Sequence, residues 1–154
     1  MLQDRRLGSY VLRRINDSLY YLNQWRLPYP VYQFQTGDVD CDGQPDALVG
    51  VVKSTRFYCE KGRRLFIFKL MNGKVRPLWM GSKLGGQLVD FKFVNGRVRS
   101  LEISGRQSTD RNTHRRSQLL YTVSEWQWND FGLQFHHYLI HQTDSITAKR
   151  YYCQ

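Results

Sequence analysis

The chain has 154 residues, which suits one domain with a hydrophobic core and is short for two. No run approaches the eighteen consecutive apolar residues of a membrane-spanning helix, so no span is predicted. The net charge of +10 excludes an acidic protein. Aromatic residues make up 14% of the chain, and because their side chains fit a pleated, half-buried surface, the composition favours β-strands.

The acidic residues are unevenly distributed. Four of the thirteen carboxylates lie between Asp38 and Asp46, and the rest of the chain has 23 basic against 9 acidic residues. The electric field of this excess positive charge attracts anions: nucleic acid, acidic glycans, anionic lipid or a carboxylate-rich protein. A solvated basic surface that only keeps the protein soluble is an equal alternative.

The cysteines leave the redox compartment open. Cys41, Cys59 and Cys153 are too few for a disulfide scaffold, and their spacing matches no zinc motif. One disulfide with a leftover thiol and three free thiols are both compatible with the sequence. The first residues lack the apolar stretch of a signal peptide.

Three segments share one pattern, in which an apolar strand, a tight turn and an aromatic-rich strand follow each other. They are residues 10–25, 65–80 and 119–138, and their starts are 55 and 54 residues apart. The turns contain Asn-Asp or Asn-Gly, which suit the positive φ angles of short hairpins. Each segment is therefore predicted to be a β-hairpin. For residues 10–25 a helix is the alternative, because their leucines and isoleucine also fit a period near 3.6.

Two more strand pairs lie between these hairpins. Residues 31–36 and 47–53 flank the acidic segment, and residues 88–94 and 98–104 flank Asn95-Gly96. A unit of four strands in roughly 40 to 50 residues has the size of a propeller blade. The prediction is an all-β, antiparallel single domain (1–154) made of a half-repeat hairpin (9–27), a first repeat (31–80), a second repeat (88–140) and a tail (141–154). Because two and a half blades do not close a ring, we expect an incomplete propeller or compact, sandwich-like packing. An assembly of several chains is the alternative.

The acidic segment has the pattern of a calcium loop. It places Asp at positions 1, 3, 5 and 9 and Gly at position 6, from Asp38 to Asp46. Calcium takes six to eight oxygen ligands, which alternate Asp side chains of a curled loop can supply. Val49 stands at position 12, where a helix–loop–helix calcium site has Glu, and a β-run follows. These features predict a strand–loop–strand calcium site.

The segment Gly-Asp-Val-Asp-Cys-Asp-Gly-Gln-Pro-Asp-Ala-Leu-Val-Gly (37–50) resembles the calcium loop of FG-GAP, integrin-α-like β-propeller repeats. The resemblance covers 31–140 in outline. It implies a Ca²⁺ cofactor and an extracytoplasmic, periplasmic or cell-surface setting. Cys41 departs from the pattern, since such loops commonly have Gly or Asn there, and the chain has one copy of the loop where a propeller has several. The implied ligands are Asp38, Asp40, Asp42, the backbone carbonyl of Gln44, and Asp46.

Arginine pairs precede the three hairpins. In the repeat register they fall in or beside equivalent loops, which predicts a cationic end that could bind an anionic polymer through guanidinium groups. Edge protection and solvation of the loops is the alternative. The pairs are Arg5-Arg6, Arg63-Arg64 and Arg115-Arg116.

Catalytic motifs are absent from the sequence. It has no phosphate-binding glycine loop, nucleophile elbow or zinc-protease helix. The histidines 136, 137 and 141 are interpreted as core or interface residues, with 136 and 137 on opposite sides of a strand. The sequence thus favours a non-catalytic, calcium-stabilised module that binds a protein or an anionic polymer, a glycan before nucleic acid. The alternative is a small polysaccharide hydrolase, or an accessory domain of one, in which acids such as Asp90, Glu102 and Glu125 would have to meet.

Overall fold

The computed structural model describes residues 2–3, 10–15, 21–72, 74–81, 83–107 and 117–154, with side chains from residue 26 onward within those ranges. The predicted fold class is confirmed, because most of the described residues form antiparallel strands and nine form a helix. The chain forms two compact units, one of residues 1–37 and 44–82 and the other of residues 38–43 and 83–154. That the whole chain is one domain stays a prediction.

The N-terminal segment forms a three-stranded antiparallel sheet. Its strands are β1 (Leu2–Gln3), β2 (Tyr10–Ile15) and β3 (Tyr21–Leu27), in the order β1-β2-β3. The pairing of β2 with β3 runs from Tyr10 opposite Leu27 to Ile15 opposite Tyr21. The hairpin prediction is therefore confirmed and the helical alternative is wrong, although the turn at 16–20 lies outside the described residues.

The first four-stranded sheet is a meander in which each strand pairs with the next along the chain. Its strands are β4 (Val31–Gly37), β5 (Asp46–Thr55), β6 (Tyr58–Met71) and β7 (Lys74–Trp79). The β5–β6 connection is a turn at Arg56-Phe57, so both strands are longer than the sequence predicted. Along the added segments every second residue pair of the antiparallel ladder exchanges two backbone hydrogen bonds, which stabilises the extension.

Apolar packing stabilises this first sheet. Val49 lies directly opposite Phe66, and Ala47 lies opposite Phe68, so their side chains share one face. The ring of Tyr29 meets Phe66 edge-on with centroids 6.2 Å apart. The buried core on this face consists of Leu27, Val49, Val51, Phe66 and Phe68.

The second four-stranded sheet repeats the meander. Its strands are β8 (Gln87–Val94), β9 (Arg97–Gln107), β10 (Gln118–Asn129) and β11 (Gly132–Thr143), in the order β11-β10-β9-β8. The β8–β9 turn is Asn95-Gly96, with φ of 51° and 74°. These positive φ angles are the ones predicted for Asn and Gly in a short hairpin turn.

The C-terminal segment, predicted only as a tail, continues β11 to Thr143 and then forms helix α1 (Ser145–Cys153). Asp144 caps the helix, because its Oδ1 accepts hydrogen bonds from the backbone N–H groups of Ile146 at 2.8 Å and Thr147 at 3.0 Å. Ala148 packs into a core with Leu101 and Val123, which fixes the helix on one face of the second sheet. Within the described part of the chain, no helix has the length and apolar character to cross a membrane.

Candidate functional site

The loop between β4 and β5 brings three carboxylates together. Asp38, Asp40 and Asp42 each place one oxygen within 4.8 Å of the others. The two oxygens of Asp38 also accept hydrogen bonds from the backbone N–H groups of Asp42 and Gly43, each at 3.0 Å. These bonds curl the loop around its first Asp. Three carboxylates at this spacing repel one another unless a cation lies between them, so the cluster can hold a metal ion.

Two residues of the loop have left-handed backbone conformations. Gly43 has φ of 81°, a conformation that glycine adopts without strain and that turns the loop sharply. Cys41 has φ of 59°, and its side chain is exposed. A residue with a Cβ is strained there by about 1–2 kcal/mol, whereas Gly is not and Asn less so. This strain gives a physical reason for the Gly or Asn that the resemblance leads one to expect at this position.

The structure separates the five predicted ligands into two groups. The convergent set contains Asp38, Asp40 and Asp42. Asp46 begins β5, opposite Gly37, and is 1% exposed, whereas Gln44 is exposed. A ligand role for these two residues stays a prediction. Strand β5 follows the loop directly, so the predicted strand–loop–strand setting is confirmed.

One of the three arginine pairs lies within the described residues, and it does not lie in a loop. Arg63 and Arg64 lie inside β6, because this strand begins at Tyr58. Arg64 is 6% exposed and donates from Nη1 to the carbonyl oxygen of Arg63 at 3.0 Å and from Nη2 to that of Glu60 at 3.4 Å. The predicted loop position is wrong for this pair, and the buried Arg64 is not open to an anion. The pairs Arg5-Arg6 and Arg115-Arg116 lie outside the described residues.

Arg63, the exposed member of this pair, lies against an aromatic ring. Its guanidinium carbon is 4.6 Å from the centroid of the Tyr32 ring on β4. A guanidinium that lies over a ring is attracted by the negative face of that ring. Arg63 can therefore contribute to a basic surface without its neighbour.

Glu125 is buried beside Arg99, which the sequence did not pair with it. The two residues lie directly opposite each other on β10 and β9. Arg99 donates to Oε1 of Glu125 from Nη2 at 2.8 Å and from Nε at 3.1 Å, and Arg97 donates to Oε2 at 3.4 Å. Burial alone would raise the pKa of Glu125, but the hydrogen bonds and charge of Arg99, with the hydrogen bond of Arg97, outweigh burial and lower this pKa. Arg99 also donates to the carbonyl oxygen of Tyr151 at 3.4 Å, which ties helix α1 to the sheet.

Glu102 is buried on the opposite face of the second sheet. It lies opposite Thr122, three positions along β9 from Arg99. Because side chains alternate between the two faces along a strand, Glu102 points to the face opposite that of Arg99 and α1. Its Oε1 accepts from the hydroxyl of Ser100 and its Oε2 from the backbone N–H of Gly86. The hydroxyl of Ser100 in turn accepts from Nε1 of Trp126 at 2.8 Å. The two glutamates thus face opposite sides, and no pair of catalytic carboxylates forms between them.

The histidines were interpreted as core or interface residues, and an interface position stays a prediction. His136 and His141 are exposed, and 42% of the His137 side chain is exposed, so the core interpretation is wrong. The rings of His136 and His137 lie with centroids 4.8 Å apart. The reason is a β-bulge, since His136 is an extra residue between the pairs Trp126–Phe135 and Glu125–His137. Sequence reasoning with a strict period of two could not place this bulge.

Cys41, Cys59 and Cys153 are exposed free thiols, so the structure has three free thiols and not one disulfide with a leftover thiol.

Comparisons with known proteins return no match: no protein-family model, curated protein or solved structure matches this chain. The convergent carboxylates of the loop are therefore the strongest indication of a function among the described residues.

Proposed function

We propose that this protein is a non-catalytic binding module of β-repeats whose Asp38–Asp46 loop is stabilised by a calcium ion. The observation that carries the proposal is the convergence of Asp38, Asp40 and Asp42. Calcium accepts a ligand set of several carboxylates, backbone carbonyls and waters, and it tolerates irregular geometry. Magnesium demands a near-octahedral shell at shorter distances, which a nine-residue loop of this kind satisfies less readily.

The role proposed for the ion is structural. The loop directly joins two paired strands, so an ion that offsets the repulsion within it stabilises the hairpin β4–β5. The resemblance of residues 37–50 to FG-GAP calcium loops supports this proposal and supplies the extracytoplasmic setting, where calcium is plentiful. Gln44 and Asp46 would complete the ligand set that the resemblance implies.

A binding function is favoured over hydrolysis by the arrangement of the acids. A two-carboxylate glycosidase needs two carboxyl groups that flank the scissile bond, about 5–10 Å apart, with the bound sugar between them. Glu102 and Glu125 lie on opposite faces of the sheet, and Glu125 is engaged by Arg99. The positive charge of the chain supports a partner that is a protein or an anionic polymer.

The test of the calcium proposal is thermal unfolding in saturating calcium and in excess chelator. A ligand present at a hundred times its dissociation constant stabilises by about 2.7 kcal/mol. For a chain of this length that corresponds to about 5–10 °C in Tm. We expect chelation to lower the Tm of the wild type by this amount, and Asp40→Asn to remove the difference while changing the side chain by one atom.

The matched control is Asp130→Asn, which removes one exposed carboxylate from the turn between β10 and β11. Its response to calcium should equal that of the wild type. A Tm that is indifferent to calcium and chelator in the wild type would overturn the proposal. Equal protection by magnesium at the same concentration would retain a metal site and overturn its assignment to calcium.

A further inference from the structure

A cavity opens on the face of the second sheet opposite helix α1. Its volume is about 510 Å³, within the range of small-molecule sites. All residues around it belong to the segment 83–142 and so to one compact unit. None of the residues of the calcium loop contributes to it. The cavity is thus a candidate binding site that is distinct from the carboxylate loop.

One wall of the cavity is a row of aromatic rings. Trp126, Phe135, Tyr138 and His141 follow one another with centroid distances of 5.6, 4.6 and 4.5 Å. Trp126 is buried at the inner end of the row. Phe135 is 43% exposed and Tyr138 is 52% exposed, so their rings are open to a ligand.

Two β-bulges create this row. Phe135, Tyr138 and His141 are three residues apart, and in a regular strand neighbours at this spacing alternate between faces. The extra residues His136 and Leu139 shift the register between them, so all three rings reach the same face. Bulges of this kind are frequent beside functional sites, where they re-aim side chains.

The rest of the lining combines hydroxyl groups with two basic side chains. Ser104, Thr122 and Ser124 line the sheet side, where the Thr122 hydroxyl donates to Ser104 Oγ at 2.9 Å. Lys83 and Arg106 are exposed at the edge of the cavity. Among the described residues of the lining, Glu102 is the acidic one.

The floor of the cavity is held in place by Glu102. Its carboxylate accepts from the backbone of Gly86, which draws the segment of Gly85 and Gly86 against the sheet. A Cβ on Gly86 would lie 2.5 Å from the carbonyl oxygen of Ile103, so this close approach requires glycine. The floor is therefore built by specific bonds, and Glu102 acts as a positioning residue.

We propose that this cavity binds an acidic oligosaccharide, that is, a short sugar chain with carboxylate groups. Sugar rings present apolar C–H faces that pack on exposed aromatic rings, as Phe135 and Tyr138 offer. Lys83 and Arg106 would pair with the sugar carboxylates. The inference deepens the proposed binding function by giving it a ligand site, and it does not depend on the calcium ion.

Single-stranded nucleic acid is the competing ligand, since aromatic rows beside basic groups also stack bases. The oligosaccharide is favoured by the lining. A nucleic-acid strand carries a phosphate at each unit, whereas Lys83 and Arg106 are the lysine and arginine of the described lining. Two cations match one or two carboxylates better than a continuous run of phosphates.

The experiment is calorimetric titration of the full chain with a hyaluronan tetrasaccharide, which alternates uronic acids with neutral sugars. The matched ligand is the same tetrasaccharide with its carboxyl groups reduced to alcohols. We expect the acidic form to bind at least fivefold more tightly than the reduced form. Tyr138→Ala should weaken the acidic form about tenfold, through loss of ring stacking. Arg106→Gln should reduce the preference for the acid, since Lys83 remains, while retaining the affinity for the reduced form.

The control variant is Phe131→Ala, which removes a ring that is 98% exposed in the turn of the same hairpin and does not line the cavity. Its affinity should equal that of the wild type. Absence of binding by both sugars would overturn the proposal, and so would equal weakening by Phe131→Ala and Tyr138→Ala. Tight binding of an oligo-dT strand without sugar binding would overturn it in favour of nucleic acid.

The calcium proposal and the cavity proposal have separate readouts. The Tm reports calcium binding. The affinity for the sugar, measured in the presence of calcium and well below the unfolding temperature, reports ligand binding in the cavity. A chelator-sensitive Tm without sugar binding retains the calcium proposal and rejects the cavity proposal. Sugar binding with a Tm that ignores calcium does the reverse.

Discussion

The two four-stranded sheets have the same meander topology but bury different side chains. At the centre of the first sheet, β5 and β6 bury mostly apolar residues, with Asp46 and Arg64 as the buried polar ones among the described positions. At the centre of the second, charged and hydroxyl residues alternate with apolar ones. These buried polar residues are Arg99, Ser100, Glu102, Thr122, Ser124 and Glu125.

The difference shows that one backbone pattern can be stabilised in two ways. Apolar packing is non-directional and tolerates many combinations of side chains. Buried polar groups require specific hydrogen bonds, which fix the positions of their partners. The second sheet is therefore the one suited to hold rings and charges in a defined arrangement, and the cavity lies there.

The two sheets also differ in the connection between their first two strands. In the first sheet β4 and β5 are joined by residues 38–45, and in the second β8 and β9 are joined by Asn95-Gly96 alone. Both connections contain left-handed residues, at Cys41 and Gly43 in one and at Asn95 and Gly96 in the other. The longer connection gathers carboxylates, whereas the shorter one only reverses the chain.

The largest expected effect comes from breaking the polar core of the second sheet. Glu125→Ala leaves Arg99 buried without its main partner, and the side chain of Arg99 is 10% exposed. We expect the free energy of unfolding to fall by about 3–5 kcal/mol, measured by urea denaturation. The double variant Arg99→Met, Glu125→Leu should be closer to wild type, because it removes both charges. A loss below about 1 kcal/mol in the single variant would contradict the contrast drawn between the sheets.

An intermediate effect is expected from exchanging residues between the two connections. Cys41→Asn replaces a strained residue with one that tolerates the left-handed conformation, and we expect the free energy of unfolding to rise by about 0.5–1 kcal/mol. The matched variant Asn95→Cys should lower it by a similar amount. Denaturant unfolding of both variants in saturating calcium checks the pair. Changes of the same sign would contradict backbone strain as the cause.

The smallest effect concerns the cap of helix α1, an element that the first sheet lacks among its described residues. Hydrogen bonds from the side chain and the backbone of Thr147, with one from Ile146, lower the pKa of Asp144 to about 2 from the usual 3.8. Because the folded pKa is below the unfolded pKa, the carboxylate stabilises the fold fully above pH 3.8, and this contribution is lost as the pH falls towards 2.

The measurement is the difference in Tm between wild type and Asp144→Asn from pH 5 to pH 2. Asn keeps an oxygen that can accept from the helix, so the difference isolates the charge. We expect a wild-type advantage of a few degrees at pH 5 that disappears near pH 2. A difference that stays constant with pH would show that the charge of Asp144 does not stabilise the cap.

Much of the fold follows from local sequence patterns. The strand pairs around Asn95-Gly96 and around the acidic loop were predicted to within a few residues, because turn residues and apolar runs act over short distances. Helix α1 was missed, although Asp144 before Ser145 is an N-cap signal that could have located it. The Arg63-Arg64 pair was placed in a loop because the sequence gives no marker for how far β6 extends.

The candidate sites divide between local and long-range information. The sequence by itself determined the carboxylate cluster, because Asp38, Asp40 and Asp42 lie within five residues and one curled segment brings their carboxylates together. It could not determine the Arg99–Glu125 pair or the aromatic row. These depend on strand register and on the bulges at His136 and Leu139, and register is decided by how whole strands pack. A single inserted residue moves every later side chain to the other face, so only the tertiary structure could decide which rings and acids meet.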